Sequence, residues 1–355
     1  MTTDEFMDGE GYVLEWKKCL VLVNKQNLPN LISVECTSNV NFGSGRFNLT
    51  CSDPNGLEYD IINSGDEIEI YMNTINVANK VWGGYVETKS LATQNGQVLT
   101  LGGREYSSRL LNQVSDYTPT AVELSTALKA ILANQVDFDD IFITTTSGLS
   151  VTFAFTNETL FNQMKKACDQ HNFYFGVDVD LHAYSYLLSA SATSPDVLLW
   201  GSNIFRDNTL EENKEFLVND ITVQASSTVT ASASDATSQS QYLKQSKVYT
   251  IADVGSTAAA QAYADTLLAV YKDPINQIKV TSNFLPSTMP TDYIQITIPP
   301  LGLDGLYQVV EISHRYNRDD GLKTVTTVGK KLTDQSMWLG EMEKRMRLVE
   351  QKAYM

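Results

Sequence analysis

Three histidines, His171, His182 and His314, are the side chains best suited to move protons near neutral pH. His171 lies at the end of a predicted helix, where exposed carbonyls favour a cation, so we interpret it as structural. His314 precedes Asp319 and Asp320, but residues of one hairpin rarely reach the geometry of a Ser-His-Asp triad, and no Gly-x-Ser-x-Gly motif is present. A His-Glu-x-x-His motif, a P-loop and a dinucleotide fingerprint are also missing, so we predict no enzymatic activity and no cofactor.

Two groups of aspartates have the spacing of candidate metal ligands or catalytic carboxylates. Asp178 and Asp180 alternate with valine, so on a strand both carboxylates face one side. Asp137, Asp139 and Asp140 form the second group. Either group offers oxygen ligands for Ca²⁺, and paired carboxylates also serve glycosidases. Neither group resembles an EF-hand loop and nothing selects one pair, so we favour solvated acidic edges that discourage sheet aggregation and predict no metal site.

The four cysteines do not form a Cys-x-x-Cys pair, which argues against a zinc ribbon. Cys19, Cys36 and Cys51 fall in strand-like runs, where a free cysteine is usually a small buried apolar residue. A disulfide among these three is the less favoured alternative.

Composition indicates an ordinary folded protein of two or three domains. The 355 residues are 43% hydrophobic and 19% charged, and 42 acidic against 26 basic residues give a net charge of -16. Such a surface repels phosphate, so we predict no sequence-specific nucleic-acid binding. The acidic N-terminus is not a secretory signal, and no apolar run approaches the roughly 20 residues that cross a bilayer, so we expect synthesis in a cytoplasm.

Residues 12–75 read as a series of short β-strands separated by turn residues. The runs rich in β-branched or aromatic residues are 12–16, 19–23, 32–36, 46–51 and 67–71. Two further runs flank Asn95-Gly96, a pair that supplies the positive φ angles of a tight hairpin turn. Short strands at this spacing suggest a small barrel or sandwich that extends to about residue 112.

The pattern changes to α+β after residue 112. Thr120 and Glu123 have the spacing of a capping box, and a helical apolar pattern follows from Leu124 to Leu132. A strand is predicted at 150–155, then a helix capped by Asn157, then strands at 173–180 and 183–188.

A third block begins near residue 216. Residues 217–223 read as a strand, and the Ser/Thr-rich stretch 225–241 as a long loop, because it lacks apolar residues. A strand at 247–251 and a helix capped by Ser256 follow. The block continues with strands at 277–283, 293–298, 305–314 and 323–329.

The last segment, 332–355, has an apolar heptad pattern typical of a helix. It predicts either a weak coiled coil or a surface helix packed on its own domain, and Gly340 weakens the first option. The residues that we expect at an oligomer or spike interface are Leu339, Met342, Arg345, Met346, Val349 and Glu350.

Three blocks of the sequence together resemble the tail baseplate hub proteins of long-tailed phages, the late control protein D-like family, and of related contractile injection systems. The first carries Gly-Gly-Tyr-Val at 83–86 and, after the turn, Val-Leu-Thr-Leu-Gly-Gly-Arg-Glu at 98–105. The second runs from 153 to 180 as strand, helix and aromatic strand. The third contains Gly-Leu-Tyr-Gln-Val-Val-Glu-Ile-Ser-His at 305–314. The blocks follow the hub order.

The resemblance implies a mainly β protein with an α+β insert, in which two small β-barrel-like domains flank a middle α+β domain. The boundaries that we predict are 1–112, 113–215, 216–331 and a C-terminal helix at 332–355. The resemblance further implies a homotrimer in the tail baseplate or tail tip of a virion. There it would join the sixfold tail tube to a threefold spike or tip protein and line the DNA exit path, with the tape-measure protein as a further partner.

Two other functions stay open at this point. A tail-associated hydrolase of the cell envelope is disfavoured, because the chain ends soon after the third block. A carbohydrate-binding adhesin could use Trp82, Trp200 and Trp338 for stacking on sugars, although buried aromatic residues are more common.

Overall fold

The computed structural model describes residues 19–39, 44–72, 80–93, 97–133, 137–153, 155–169, 171, 173–187, 191–205, 209–213, 217–224, 227–250, 257–273 and 275–329. Within these ranges the protein is mainly β with an α+β part, as predicted. The strand expected at 12–16, the Asn95-Gly96 turn, the Ser256 cap and the whole C-terminal segment 332–355, with its six candidate interface residues, lie outside the described residues.

The first block contains the predicted strands and two short helices. They are β1 (Cys19–Val23), β2 (Gln26–Asn27), β3 (Leu31–Asn39), β4 (Arg46–Ser52), α1 (Leu57–Ile61), β5 (Glu67–Met72), β6 (Lys80–Ala92), β7 (Val98–Glu105) and α2 (Ser108–Asn112). Alternate residues of these strands, such as Val21, Leu49 and Leu101, form one core. The predicted hairpin is confirmed, since β6 and β7 pair in antiparallel fashion.

The middle block packs two helices and a three-stranded sheet around a second core. Its elements are β8 (Val114–Tyr117), β9 (Val122–Glu123), α3 (Leu124–Leu132), β10 (Asp139–Ile143), β11 (Ser150–Val151), β12 (Phe155–Thr159), α4 (Leu160–Asp169), β13 (Phe173–Val177) and β14 (His182–Leu187). The apolar faces of α3 and α4 are buried, as the helical spacing predicts.

The capping box predicted for α3 is wrong. Glu123 itself is the N-cap residue, and its carboxylate accepts a hydrogen bond from the Thr126 backbone N–H at 3.0 Å. Thr120 is displaced from this role because β9 pairs with β11, and Ala121 turns the chain with a φ of 51°. The helix starts three residues later than a Thr120 cap requires.

Asn157 does not cap α4, so this prediction is also wrong. The residue belongs to β12 and has a φ of 51°, because β12 continues to pair with β8 as far as Thr159. The Thr159 hydroxyl then accepts from the Asn162 backbone N–H at 3.2 Å. A longer strand has therefore moved the helix start from the predicted position.

Beyond residue 190 the described elements belong to the third block, together with two strands that lie before the predicted boundary at 216 and pair with third-block strands. They are β15 (Thr193–Leu199), β16 (Thr209–Asn213), β17 (Asp220–Gln224), β18 (Thr230–Ser234), α5 (Ala236–Tyr242), β19 (Ser246–Thr250), α6 (Thr257–Tyr271), β20 (Ile275–Asn283), β21 (Tyr293–Ile298), β22 (Leu303–Asn317) and β23 (Gly321–Val328). Of these, β17, β18 and β19 form a small sheet covered by α6, with its own core.

The Ser/Thr-rich stretch 225–241 is not a loop throughout, which corrects the prediction. It contains β18 and most of α5. Ala231 and Ala233 alternate on β18 and are buried in the core beneath α6, where small side chains permit close packing. Asp235 starts α5 by accepting a hydrogen bond from the Ser238 backbone N–H at 2.9 Å.

A single large sheet joins the first and third blocks. Its strand order is β16-β20-β23-β22-β3-β4-β7-β6-β5-β1-β2, with β21 and β15 attached through β22. The connection is the antiparallel pair β22–β3, reinforced by Arg315 and Ser313, whose side chains donate to the Glu35 carboxylate at 2.7 and 3.0 Å. Across the described strands this order is open rather than a closed ring, so the two barrel-like domains and their boundaries stay predictions.

Candidate functional site

The three histidines make separate contacts in the structure. The His171 ring nitrogen Nε2 lies 2.9 Å from the Ser150 carbonyl oxygen. His182 pairs through Nδ1 with Asp178 at 3.0 Å. His314 is buried on β22, where burial lowers its pKa to about 4 and its Nδ1 lies 3.0 Å from the Thr324 hydroxyl. Each contact fixes a turn or a strand.

Local hydrogen bonds and ion pairs account for the aspartate groups. Asp178 and Asp180 do not lie on a strand, which corrects the prediction: β13 ends at Val177, and Asp178 closes the turn that follows by accepting from the backbone N–H groups of Asp180 and His182 at 2.8 and 2.9 Å. Asp137 pairs with Arg109, and Asp140 lies 3.6 Å from the Lys129 ammonium. In the part of the chain that the structure describes, no group of three or more His, Cys, Asp or Glu has metal-site geometry.

All four cysteines are buried and none forms a disulfide, which confirms the interpretation of Cys19, Cys36 and Cys51 as small core residues. Burial raises the pKa of the Cys19 and Cys51 thiols to about 12. The reactive thiolate is thereby suppressed.

The structure places a cavity of about 240 Å³ where the three blocks meet, and we call it the junction cavity. Its walls come from β3, β6 and β7 of the first block, from α4, β13 and β14 of the middle block, and from the β20–β21 connection and β22 of the third. The lining residues that matter below are Trp82, Glu105, Tyr174, Phe175, Tyr184 and Phe284. Sequence reasoning missed this site because its residues are scattered along the chain and share no local motif.

A carboxylate and a group of tyrosines form the polar side of the junction cavity. Glu105 accepts hydrogen bonds from the hydroxyls of Ser107 at 2.9 Å and Ser38 at 3.3 Å, and burial raises its pKa. Tyr184 fits beside it because residue 176 is glycine: a Cβ there would lie 2.5 Å from the Tyr184 hydroxyl oxygen. The cavity is therefore built from tightly matched side chains.

Two polar contacts hold the blocks together around the cavity. Lys80, only 8% exposed, bridges Glu69 of its own block at 3.0 Å and Asp180 of the middle block at 2.9 Å. On the other side, the Tyr186 hydroxyl bonds to that of Thr291 in the third block. Both contacts fix the middle block against the large sheet.

A second feature is an exposed apolar face on the sheet formed by β15, β21 and β22. In the sheet register, Gln295 of β21 lies between Val197 of β15 and Leu306 of β22. Two residues further along β15, Leu199 lies opposite Thr297 of β21. Val197, Leu199 and Leu306 are exposed on this outer face, and Trp200 follows them. In the described residues, β15 pairs with a strand on one side only. Gln295, Thr297 and Asp304 lie in the same rows, so exposed apolar and polar side chains are mixed beside the open edge of β15, as in a protein interface.

Comparison with known proteins places the fold. No family model and no curated protein sequence matches the chain. Among solved structures, the 43 kDa tail protein of prophage MuSo2 from Shewanella oneidensis superimposes with a TM-score of 0.72 at 13% identity, covering 88% of this chain and 98% of that one. The fold is that of a phage tail protein.

Two further structures agree with this result. The tail protein from Neisseria meningitidis MC58 gives a TM-score of 0.70 at 14% identity, over 88% of this chain and 96% of that one. An E. coli component of the type VI secretion system, described as similar to the T4 tail proteins gp27 and gp5, gives 0.53 at 10% identity, over 88% and 77%. Since each of these alignments covers 88% of this chain, the similarity extends over most of its three blocks.

Proposed function

We propose that this chain is a structural protein of a phage tail, which forms a trimeric hub in the baseplate or tail tip. The observation that carries the proposal is the shared fold over 88% of the chain with two tail proteins, which match over nearly their whole length. The large sheet supports a mechanical role, because the β22–β3 pair ties the first block to the third. A frame of this kind can transmit load between neighbouring subunits.

The outer face of the β15–β21–β22 sheet is the self-association surface in this proposal. It carries Val197, Leu199, Trp200 and Leu306, with Leu306 55% exposed, next to the open edge of β15. Burying these side chains against a second copy removes apolar area from water at roughly 25 cal/mol per Å². Repetition of one contact around a threefold axis closes a ring.

In the assembled tail, the trimer would join the sixfold tail tube to a threefold spike or tip protein and line the DNA exit path. The net charge of -16 supports this role, because an acidic protein repels DNA and does not retain it. The heptad residues of segment 332–355 would lead towards the spike. The tape-measure protein is a further candidate partner.

Negative-stain electron microscopy of the purified chain, with mass photometry, tests the proposal. We expect threefold rings with a central pore. Combined Leu199→Asp and Leu306→Asp substitutions place carboxylates in the apolar rows, so the rings should dissociate into monomers. Leu57→Asp is the matched control, since Leu57 is 63% exposed on α1 in the first block, away from this face.

Rings that survive the double substitution would exclude this face as the interface. A wild-type chain that remains monomeric, even when mixed with its tail-tube and spike partners, would refute the hub proposal. Cleavage of envelope polymer or binding to a glycan array by that monomer would then favour the hydrolase or the adhesin.

A further inference from the structure

The junction cavity has the size and lining of a ligand site. At about 240 Å³ it is larger than an apolar cavity of roughly 150 Å³, which is enough to hold benzene. Three separate parts of the chain contribute walls, so a molecule bound here contacts all three blocks at once. Sites at the meeting point of domains are common places for small ligands.

Glu105 supplies a charge that the described residues do not neutralise. Its carboxylate is held by the Ser38 and Ser107 hydroxyls and by the Gly45 backbone N–H, and no described lysine or arginine forms an ion pair with it. The two lysines of the cavity wall are already engaged: Lys80 with Glu69 and Asp180, and Lys165 with Asp169. A carboxylate withdrawn from water without a cation is costly, and a cationic ligand removes that cost.

Aromatic rings form much of the remaining wall. Tyr174, Tyr184, Phe175 and Phe284 line the cavity, and aromatic faces attract cations as well as flat apolar groups. Trp82 also lines the cavity, with its indole N–H enclosed within the protein.

We propose that the junction cavity binds a small aromatic amine, whose ammonium pairs with Glu105 and whose ring lies among the aromatic walls. Binding would stabilise the arrangement of the three blocks, because the ligand contacts each of them. The proposal concerns the interior of one subunit and does not depend on self-association.

Isothermal titration calorimetry of the full chain with three matched probes tests this. Tyramine carries the ammonium, the ring and the oxygen, phenethylamine lacks the oxygen, and 4-ethylphenol lacks the ammonium. We expect saturable binding of tyramine and of phenethylamine, and at least tenfold weaker binding of 4-ethylphenol. Glu105→Gln should weaken tyramine binding at least tenfold, whereas Asp60→Asn, an exposed carboxylate on α1, should leave it unchanged.

A second measurement needs no folded Glu105 variant. The chain has four tryptophans, so a ¹⁵N-TROSY spectrum shows at most four indole N–H resonances, and Trp82→Phe identifies the one from Trp82. Tyramine should shift that resonance in the wild-type protein. Absence of saturable tyramine binding, binding that Glu105→Gln leaves unchanged, or an unmoved Trp82 resonance at saturation would each overturn the proposal.

Discussion

Gly103 on β7 occupies a position where the structure has no room for a methyl group. A Cβ built there lies 1.9 Å from the Tyr85 carbonyl oxygen and 2.7 Å from the Phe47 ring. An ordinary contact needs about 3.4 Å, so Gly103→Ala must push β6 and β7 apart by about 1.5 Å. Overpacking costs about 1–3 kcal/mol, and each strained ladder hydrogen bond adds about 1 kcal/mol. We therefore expect a loss of about 3 kcal/mol.

Urea and thermal unfolding, followed by circular dichroism, measure this loss. With an unfolding entropy of about 2.1 cal/mol/K per residue, 3 kcal/mol lowers Tm by about 4 °C if the chain unfolds as one unit. Gly102→Ala is the matched control one residue away. Its Cβ would meet the Thr88 hydroxyl at 2.9 Å, which can rotate away, and otherwise only the Phe47 carbonyl at 3.7 Å. Equal midpoints for the two variants would refute the close-approach argument.

Three further predictions concern the core and two titrating groups. Leu101→Ala empties a fully buried position and should cost about 2–5 kcal/mol, measured by urea unfolding. The pKa of Glu123 is lowered to about 2: partial burial raises it, but hydrogen bonds from Ser125, Thr146 and the Thr126 backbone outweigh the effect of burial. Its stabilising contribution is present above about pH 4.5 and lost towards pH 2, so Glu123→Gln should lower Tm at pH 6 and have less effect at pH 2. Burial lowers the pKa of His314 to about 4 in the folded protein. As the pH falls below 6.5, His314 therefore binds a proton in the unfolded chain before it does so in the folded protein, and the folded protein loses stability. His314→Gln should therefore lose less stability than wild type between pH 7 and pH 4.5, measured as urea midpoints.

Elements governed by local pattern were predictable from the sequence. The alternation in 46–51 and 67–71 matches β4 and β5, and the spacing from Leu124 to Leu132 matches α3. In each case the buried face follows directly from the period of the side chains, which is two in a strand and 3.6 in a helix. In these segments, tertiary packing did not change the secondary structure that the local pattern predicts.

The errors occur where a neighbouring strand decides the local conformation. Asn157 has the chemistry of a helix cap, but the β12–β8 pairing keeps it in a strand. Ala231 and Ala233 look too small to form a core, yet α6 lies close enough to cover them. The junction cavity follows the same rule, because no segment that contributes to it predicts the other two.

The β22–β3 pair shows that segments far apart in the sequence can belong to one structural unit. Residues such as Glu35 and Arg315 are 280 positions apart, and no sequence pattern sets the register between them. The pairing nevertheless converts two strand edges into the interior of one sheet, which removes two sites of unwanted association. It also means that β3 has a complete set of ladder partners only after the chain up to residue 317 has been made. The strands of the first block can thus be predicted from its own sequence, whereas its stability also depends on the pairing with the third block.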